Sequence, residues 1–409
     1  MNKIAIIRES RSDDRRTPLV PPHIKELLST FPGLNITVQP SKHRCFSDQE
    51  YEEQGAIINE DLSNCDLILG VKEIEPNLLI HSKSYMFFSH TSKIQPDNSA
   101  AAQGTPGMDK KELLKEILKK KITLIDYENI RDDLSRRYLG FGRFAGIVGC
   151  YNALNLYLKT IGQKSMPRAY ELDSYEKLKD NISKKDFGNA RIIITGDGRV
   201  AKGSLEFLEF TNIQKVSPAE YLQNNNSSAV FCNLPTAAYV SYKNGNEFDL
   251  QHFINSPEMY ISILDKYMPS TSMLISAHYW EPKSPRLLEK KDIEKYHNLK
   301  VIGDITCDVN GSIPTTSRPS TTLDPFYYVD RTTLQEVNQH DQALAIMAVD
   351  NLPSELPKDS SKEFGDGIVN EVLPYILEKD DGRIKKATIT QNGDFLPSYE
   401  YLINYINTK

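Results

Sequence analysis

Hydrophobic runs alternate with amphipathic stretches along the chain. Apolar runs at residues 3–8, 35–39, 67–73, 85–90 and 122–128 read as buried strands. Three of them share one design. Leu67-Ile68-Leu69-Gly70-Val71 runs into Lys72-Glu73, Tyr85-Met86-Phe87-Phe88-Ser89 into His90, and Ile122-Thr123-Leu124-Ile125 into Asp126-Tyr127-Glu128. Residues 23–31, ended by Pro32-Gly33, and 47–55, acidic early and closed by Gly55, read as helices between them. Strands alternating with helices predict a parallel, doubly wound sheet. Ligands of such sheets bind beyond the carboxyl ends of the strands. The polar residues expected there include Lys72, Glu73, His90, Lys93, Asp126 and Glu128.

Residues 141–158 are small and apolar and predict a long buried helix. Residues 98–107 have no apolar period and read as an exposed loop, and the charged stretch 165–187 reads as surface. A second series of strands is expected at 191–195, 213–216, 230–232, 273–276 and 301–304, with a loop at 280–287. The apolar run 343–349 reads as a second helix. The layout predicts an α/β protein of two doubly wound, Rossmann-like domains. One is expected at 1–140 together with 345–409, the other at 141–344. Helices near 141–158 and 339–349 would bridge them, and the cleft between is the default ligand site.

The second unit opens with Arg191-Ile192-Ile193-Ile194-Thr195-Gly196-Asp197-Gly198-Arg199-Val200-Ala201-Lys202-Gly203. A β-branched strand, a two-glycine turn and a helix start suit a dinucleotide pyrophosphate. Gly196 permits the tight turn, Gly198 lets the backbone approach phosphate, and the new helix presents free N–H groups around Arg199 and Val200. The pattern alone is weak, because such turns are common in α/β proteins. Asp197 brings an acid close to where pyrophosphate would lie. The end of the presumed second strand, Lys215-Val216-Ser217, carries no acid for a ribose 2′-hydroxyl, the nearest being Glu220. That absence, with Lys215 nearby, favours NADP(H) over NAD(H), both remaining candidates.

Composition narrows the class. The 409 residues suit about two or three domains. A net charge of −6 argues against a nucleic-acid surface. No apolar run approaches the ~20 residues needed to span a bilayer, and no signal peptide is visible at the N-terminus. Five dispersed cysteines without a C-x-x-C pair suit reduced thiols in a cytoplasmic protein rather than disulfides or a metal site.

Taken in order, the chain resembles the alanine dehydrogenase, transhydrogenase and saccharopine dehydrogenase superfamily, and within it the lysine–2-oxoglutarate reductase domain. The stretches that carry this are Arg15-Arg16-Thr17-Pro18-Leu19-Val20-Pro21, Leu69-Gly70-Val71-Lys72, Phe87-Phe88-Ser89-His90-Thr91-Ser92-Lys93 and Phe141-Gly142-Arg143-Phe144-Ala145-Gly146. They continue with Tyr279-Trp280-Glu281, Gly303-Asp304-Ile305-Thr306-Cys307-Asp308 and Asp350-Asn351-Leu352-Pro353. The resemblance implies reductive condensation of L-lysine with 2-oxoglutarate to saccharopine by NAD(P)H, or the reverse.

It also implies roles by position. Lys72 and His90 would exchange protons. Arg16, Lys93 and Arg137 would hold carboxylates. Glu73 and Glu128 would lie on the amine side, and Phe141 would pack near the cleft. Gly196, Gly198, Arg199, Val200 and Ser217 would meet the cofactor, with Thr306 and Asp308 beside the nicotinamide ribose. Without the resemblance, adjacent arginines are usually surface and a strand-end histidine is usually a satisfied structural group. An alanine dehydrogenase acting on pyruvate and ammonia is the nearest rival, and a non-catalytic nucleotide-binding protein is the second. The oligomeric state, monomer or homodimer, is left open.

Overall fold

The computed structural model describes residues 2–92, 94, 108–223 and 227–407; the stretch 98–107 falls outside them. The chain forms two compact units, Met1–Phe141 with Pro357–Lys409, and Gly142–Leu356.

The first unit holds an eight-stranded sheet in the order Asp394–Phe395, Thr388–Gln391, Thr123–Asp126, Ser84–Phe87, Leu67–Leu69, Lys3–Ile6, Asn35–Val38, Ile57–Ile58. The six strands from the front of the chain run parallel. The Thr388–Gln391 and Asp394–Phe395 hairpin adds two antiparallel strands at one edge. Wholly buried runs such as Leu67–Leu69 reflect a sheet covered on both faces. Helix ends follow their caps. Ser47 and Glu50 form a reciprocal capping box for Asp48–Glu52, and Asp109 accepts from the amides of Lys111 and Glu112 to start Lys110–Lys119. The returning helix Pro357–Glu371 lays Phe364 and Ile368 into this unit's core.

The second unit has an eight-stranded sheet in the order Glu336–Val337, Phe326–Val329, Leu344–Met347, Val301–Asp304, Met273–Ser276, Arg191–Thr195, Val230–Leu234, Gln214–Lys215. The six strands from Leu344–Met347 to Gln214–Lys215 are parallel. Helix Gly142–Thr160 is buried almost all round, so it carries no amphipathic stripe. It crosses helix Arg199–Leu208 at glycine contact: a Cβ on Gly146 would lie 1.9 Å from the Val200 carbonyl oxygen, and one on Gly203 2.0 Å from that of Arg143.

Four expectations change. The apolar run 343–349 is not a helix but the parallel strand Leu344–Met347. A short run buried on both faces has no periodicity to separate the two. Residues 345–356 accordingly belong to the second unit, and the chain returns to the first at Pro357. The stretch 165–187 is not all surface: helices Ala169–Leu172 and Tyr175–Ile182 hide one apolar stripe, Leu178 and Ile182 included, beneath a charged face. Finally, the strand after the glycine turn sits at the sheet edge. The neighbour of Arg191–Thr195 is Val230–Leu234. Among the described residues no helix is long and apolar enough to cross a membrane.

Candidate active site

The carboxyl ends of the parallel strands in the first unit gather acids and bases. His90 follows strand Ser84–Phe87 in the left-handed region, with φ +53°, and is buried. Its Nδ1 lies 2.7 Å from Oε1 of the buried Glu73. Glu73 follows Lys72 after strand Leu67–Leu69. Burial, and then the Arg16 charge, hold the Lys72 ammonium below its ordinary pKa range, while Glu73 and Asp14 oppose that shift.

Arg16 is 3% exposed, not the solvated loop residue its neighbourhood in sequence suggests. Its Nε and Nη2 donate to the two oxygens of Asp14 at 2.9 and 2.5 Å. Although burial opposes ionisation, the Arg16 charge and its hydrogen bonds hold the Asp14 carboxyl well below the usual range. The guanidinium also lies 4.2 Å from the centre of the Phe141 ring. Phe141 stacks on Phe364 at 4.4 Å, Phe88 packs against both rings, and Tyr127 packs against Phe364 and Phe88. Glu128 is buried and meets Arg137 Nη1 at 3.2 Å. Thus the structure brings Arg16, Lys72, Glu73, His90, Glu128, Arg137 and Phe141 into one unit. Lys93 lies outside the described residues.

Sequence reasoning missed two acids here and gave a third no role. Glu9 accepts the amide N–H of Val71 on Oε1 at 2.7 Å and that of Lys72 on Oε2 at 2.8 Å. Burial and then the Asp14 charge push its carboxyl up to about 8 against those two bonds. Asp14 is the second. Asp126, named only as a strand-end polar residue, accepts from Ser89 and Glu128. One signal was present for Glu9: it directly follows the first strand, at the ligand-binding edge of the sheet.

In the second unit, Gly196 has φ +101°, and a Cβ there would lie 2.8 Å from the Ala277 carbonyl oxygen. Glycine is required by both the dihedral and the crowding. Gly198 caps the ten-residue helix Arg199–Leu208, and a Cβ on it would meet nothing within 4 Å. This open turn at a helix N-terminus fits a dinucleotide pyrophosphate. A cavity of about 420 Å³ is lined by Gly196, Gly198, Arg199 and Val200, with Thr236, Tyr239 and Trp280 on other walls. Asp197 is exposed at its rim.

Half-buried His278 fixes the back of this turn. Its Nδ1 is 2.8 Å from Thr195 Oγ1, and its Nε2 is 2.8 Å from Ser312 Oγ. Burial pushes its pKa down to about 4, so the ring is neutral. Three expected cofactor residues are elsewhere. Ser217 donates its amide and hydroxyl to Glu220 and caps helix Pro218–Gln223. Thr306 donates to the buried Asp304 carboxyl at 2.7 Å. Neither of them nor Asp308 is among the described residues lining the cavity.

Comparison with known proteins gives the family and the fold. The alanine dehydrogenase/PNT N-terminal domain is matched over residues 5–148 and the C-terminal domain over 247–394. The chain is 30% identical to alpha-aminoadipic semialdehyde synthase, mitochondrial, of Bos taurus, over 95% of this chain and 46% of that protein. The figures for alpha-aminoadipic semialdehyde synthase of Arabidopsis thaliana are 30%, 95% and 40%. The chain thus spans less than half the length of these relatives. It is 22% identical to saccharopine dehydrogenase [NAD(+), L-lysine-forming] of Emericella nidulans over 94% of this chain and 95% of that one. A solved L-alanine dehydrogenase shares the fold, with a TM-score of 0.66 at 14% identity over 99% of both chains. Two matched domains in sequence order, on the fold of a solved member, place the chain in the alanine dehydrogenase/PNT family.

Proposed function

We propose that the chain condenses L-lysine reductively with 2-oxoglutarate to give saccharopine, or runs that step backwards, with NADP(H) preferred over NAD(H). The observation that carries the reading is the His90–Glu73 pair beside Lys72 at the carboxyl edge of one parallel sheet. The names of the relatives support the substrate assignment, and full-length similarity to the fungal saccharopine dehydrogenase supports a single reductase step.

The nicotinamide dinucleotide, when bound, supplies the hydride. Gly196, Gly198, Arg199 and Val200 would hold it, with Ser217, Thr306 and Asp308 the outlying candidates. The protein's own groups handle protons and charge. Lys72, its ammonium destabilised by burial, accepts a proton from the lysine ε-ammonium so that the free amine attacks the ketone. His90, with Nδ1 engaged by Glu73, gives a proton from Nε2 to the departing hydroxyl, leaving a C=N bond to be reduced. Arg16, Lys93 and Arg137 neutralise substrate carboxylates, the planar forks of the arginines suiting that geometry. Glu73 and Glu128 favour a cationic amine on their side, and Phe141 gives its aliphatic chain an apolar wall.

The cofactor preference rests on the strand order. The position that takes a ribose 2′-hydroxyl in such folds ends the strand beside the first, here Leu234-Pro235-Thr236 and not Lys215-Val216-Ser217. It carries no acid, and Arg199 and Thr236 line the same cavity. A cytoplasmic location is the companion proposal, supported by five cysteines that form no disulfide.

The test is NADPH oxidation with lysine plus 2-oxoglutarate, beside NADH and beside ammonia plus pyruvate. Turnover that needs both lysine and 2-oxoglutarate, and falls at least about a hundredfold in Lys72→Met and His90→Gln, is expected. Turnover confined to ammonia and pyruvate would move the chain to the alanine branch.

A further inference from the structure

We propose that Asp126 is a positioning residue that aims His90 and Glu128 together. The inference rests on the assignment of His90 as a proton carrier.

The argument starts from a backbone anomaly. His90 holds φ +53°, a conformation that non-glycine residues adopt uncommonly. Such strain persists where the surroundings over-determine it. The residue before it, Ser89, is fixed twice by one carboxyl. Its amide donates to Asp126 Oδ2 at 3.1 Å, and its hydroxyl donates to the same oxygen at 2.5 Å. The other oxygen, Oδ1, accepts the Glu128 amide at 2.8 Å. Asp126 ends strand Thr123–Asp126, which pairs in register with Ser84–Phe87, so both tethers spring from neighbouring rigid strands. One buried carboxyl therefore fixes the backbone entering His90 and the backbone carrying Glu128. A simple turn cap would account for the Glu128 bond alone, and not for the pair on Ser89.

The groups facing Asp126 are Glu128 and Tyr127 from its own segment, Ser89 from the next strand, and Tyr399 and Tyr401 from the carboxy-terminal segment. Burial, followed by the Glu128 charge, pushes the Asp126 carboxyl up to about 7, while the Ser89 and Glu128 bonds oppose that shift. Its ionisation therefore changes near neutral pH.

The test follows His90 directly, by NMR titration of ¹³C-labelled histidines in the full chain, with the His90 resonance assigned by its loss in His90→Gln. Asp126→Asn keeps the volume but turns an N–H towards one of its donors. The His90 resonance is expected to move and its titration midpoint to shift by about half a unit or more. In the lysine–2-oxoglutarate assay kcat is expected to fall about tenfold, with NADPH affinity within about twofold. A folded Asp126→Asn with an unmoved His90 titration and kcat within about twofold of wild type overturns the proposal. Should that variant not fold, Ser89→Ala removes the 2.5 Å bond together with the Thr91 contacts of the same hydroxyl, Thr91→Val, which removes only the Thr91 hydroxyl, serves as its control, and the pair is judged on the same His90 resonance. If the wild-type chain turns over neither substrate, the reaction assignment fails by itself, and the His90 titration still decides whether Asp126 positions it.

Discussion

His90 Nδ1 and Glu73 Oε1 lie 2.7 Å apart although the residues belong to different strand ends, 17 positions apart in sequence. In the proposed reaction the imidazole exchanges a proton with substrate through its other nitrogen, and the Glu73 carboxylate orients the ring. Glu73→Gln keeps the size but lets an amide face the ring. We expect kcat with lysine and 2-oxoglutarate to fall about tenfold or more, with the KM for NADPH within about twofold. An unchanged kcat in stopped-flow and steady-state assays would make the pair a satisfied structural contact.

Strand order gives a second prediction. Thr236 follows the strand that neighbours Arg191–Thr195 and lines the cavity, whereas Ser217 follows the edge strand and is occupied with Glu220. Thr236→Asp places a carboxylate where a 2′-phosphate is expected to lie. The kcat/KM for NADPH relative to NADH should fall about tenfold, a shift of ~1.4 kcal/mol in relative transition-state binding. Ser217→Asp should leave that ratio within about twofold. The reverse ranking would return the ribose site to the edge strand.

The candidate site was legible where chemistry sits on strand ends. Lys72, His90 and Glu128 each close a buried apolar run, so a doubly wound sheet alone predicts that they share its ligand-binding edge. Glu9 and Asp14 were not legible in that way. Glu9 reaches Val71 across 62 positions of chain, and Asp14 matters because Arg16 folds back on it. Neither contact has a periodicity. The strand Leu344–Met347 was misread for a related reason: four residues buried on both faces carry no information about rise per residue. The order of the second sheet was hidden because the edge strand, Gln214–Lys215, has two residues and both are exposed.

The glycine crossing of the two helices in the second unit is a stability device with a sharp test. Adding a methyl to Gly203 would put a Cβ 2.0 Å from the Arg143 carbonyl oxygen, a backbone atom that can yield only if the helices part. Gly203→Ala gains helix propensity, worth ~1 kcal/mol. Overpacking of this kind costs about 1–3 kcal/mol or more, so the net change is expected to be destabilising. Urea denaturation followed by circular dichroism reads it as a lower midpoint at constant slope. A higher midpoint would mean that the helices separate at no cost.

Glu355 makes the last prediction, through pH. It is fully buried, accepts from Asn152 at 2.9 Å and Arg168 at 3.2 Å, and burial pushes its carboxyl up to about 7 in spite of those bonds. Its folded pKa therefore lies above the unfolded value near 4.5, and the folded state binds the proton more tightly. Stability from this group is full below about pH 4.5 and is lost as pH rises through about 7. Gln cannot ionise and keeps an oxygen for Asn152 and Arg168. Relative to wild type, Glu355→Gln should therefore gain stability between pH 5 and pH 8, by about 1–3 kcal/mol from the pKa difference. The comparison is between the two proteins at each pH, because Glu9 and Asp126, also raised, tilt both curves alike. Denaturant midpoints at pH 5 and pH 8 measure it. A difference that does not change with pH would mean that Glu355 is charged in the folded protein throughout, with Arg168 neutralising it in full.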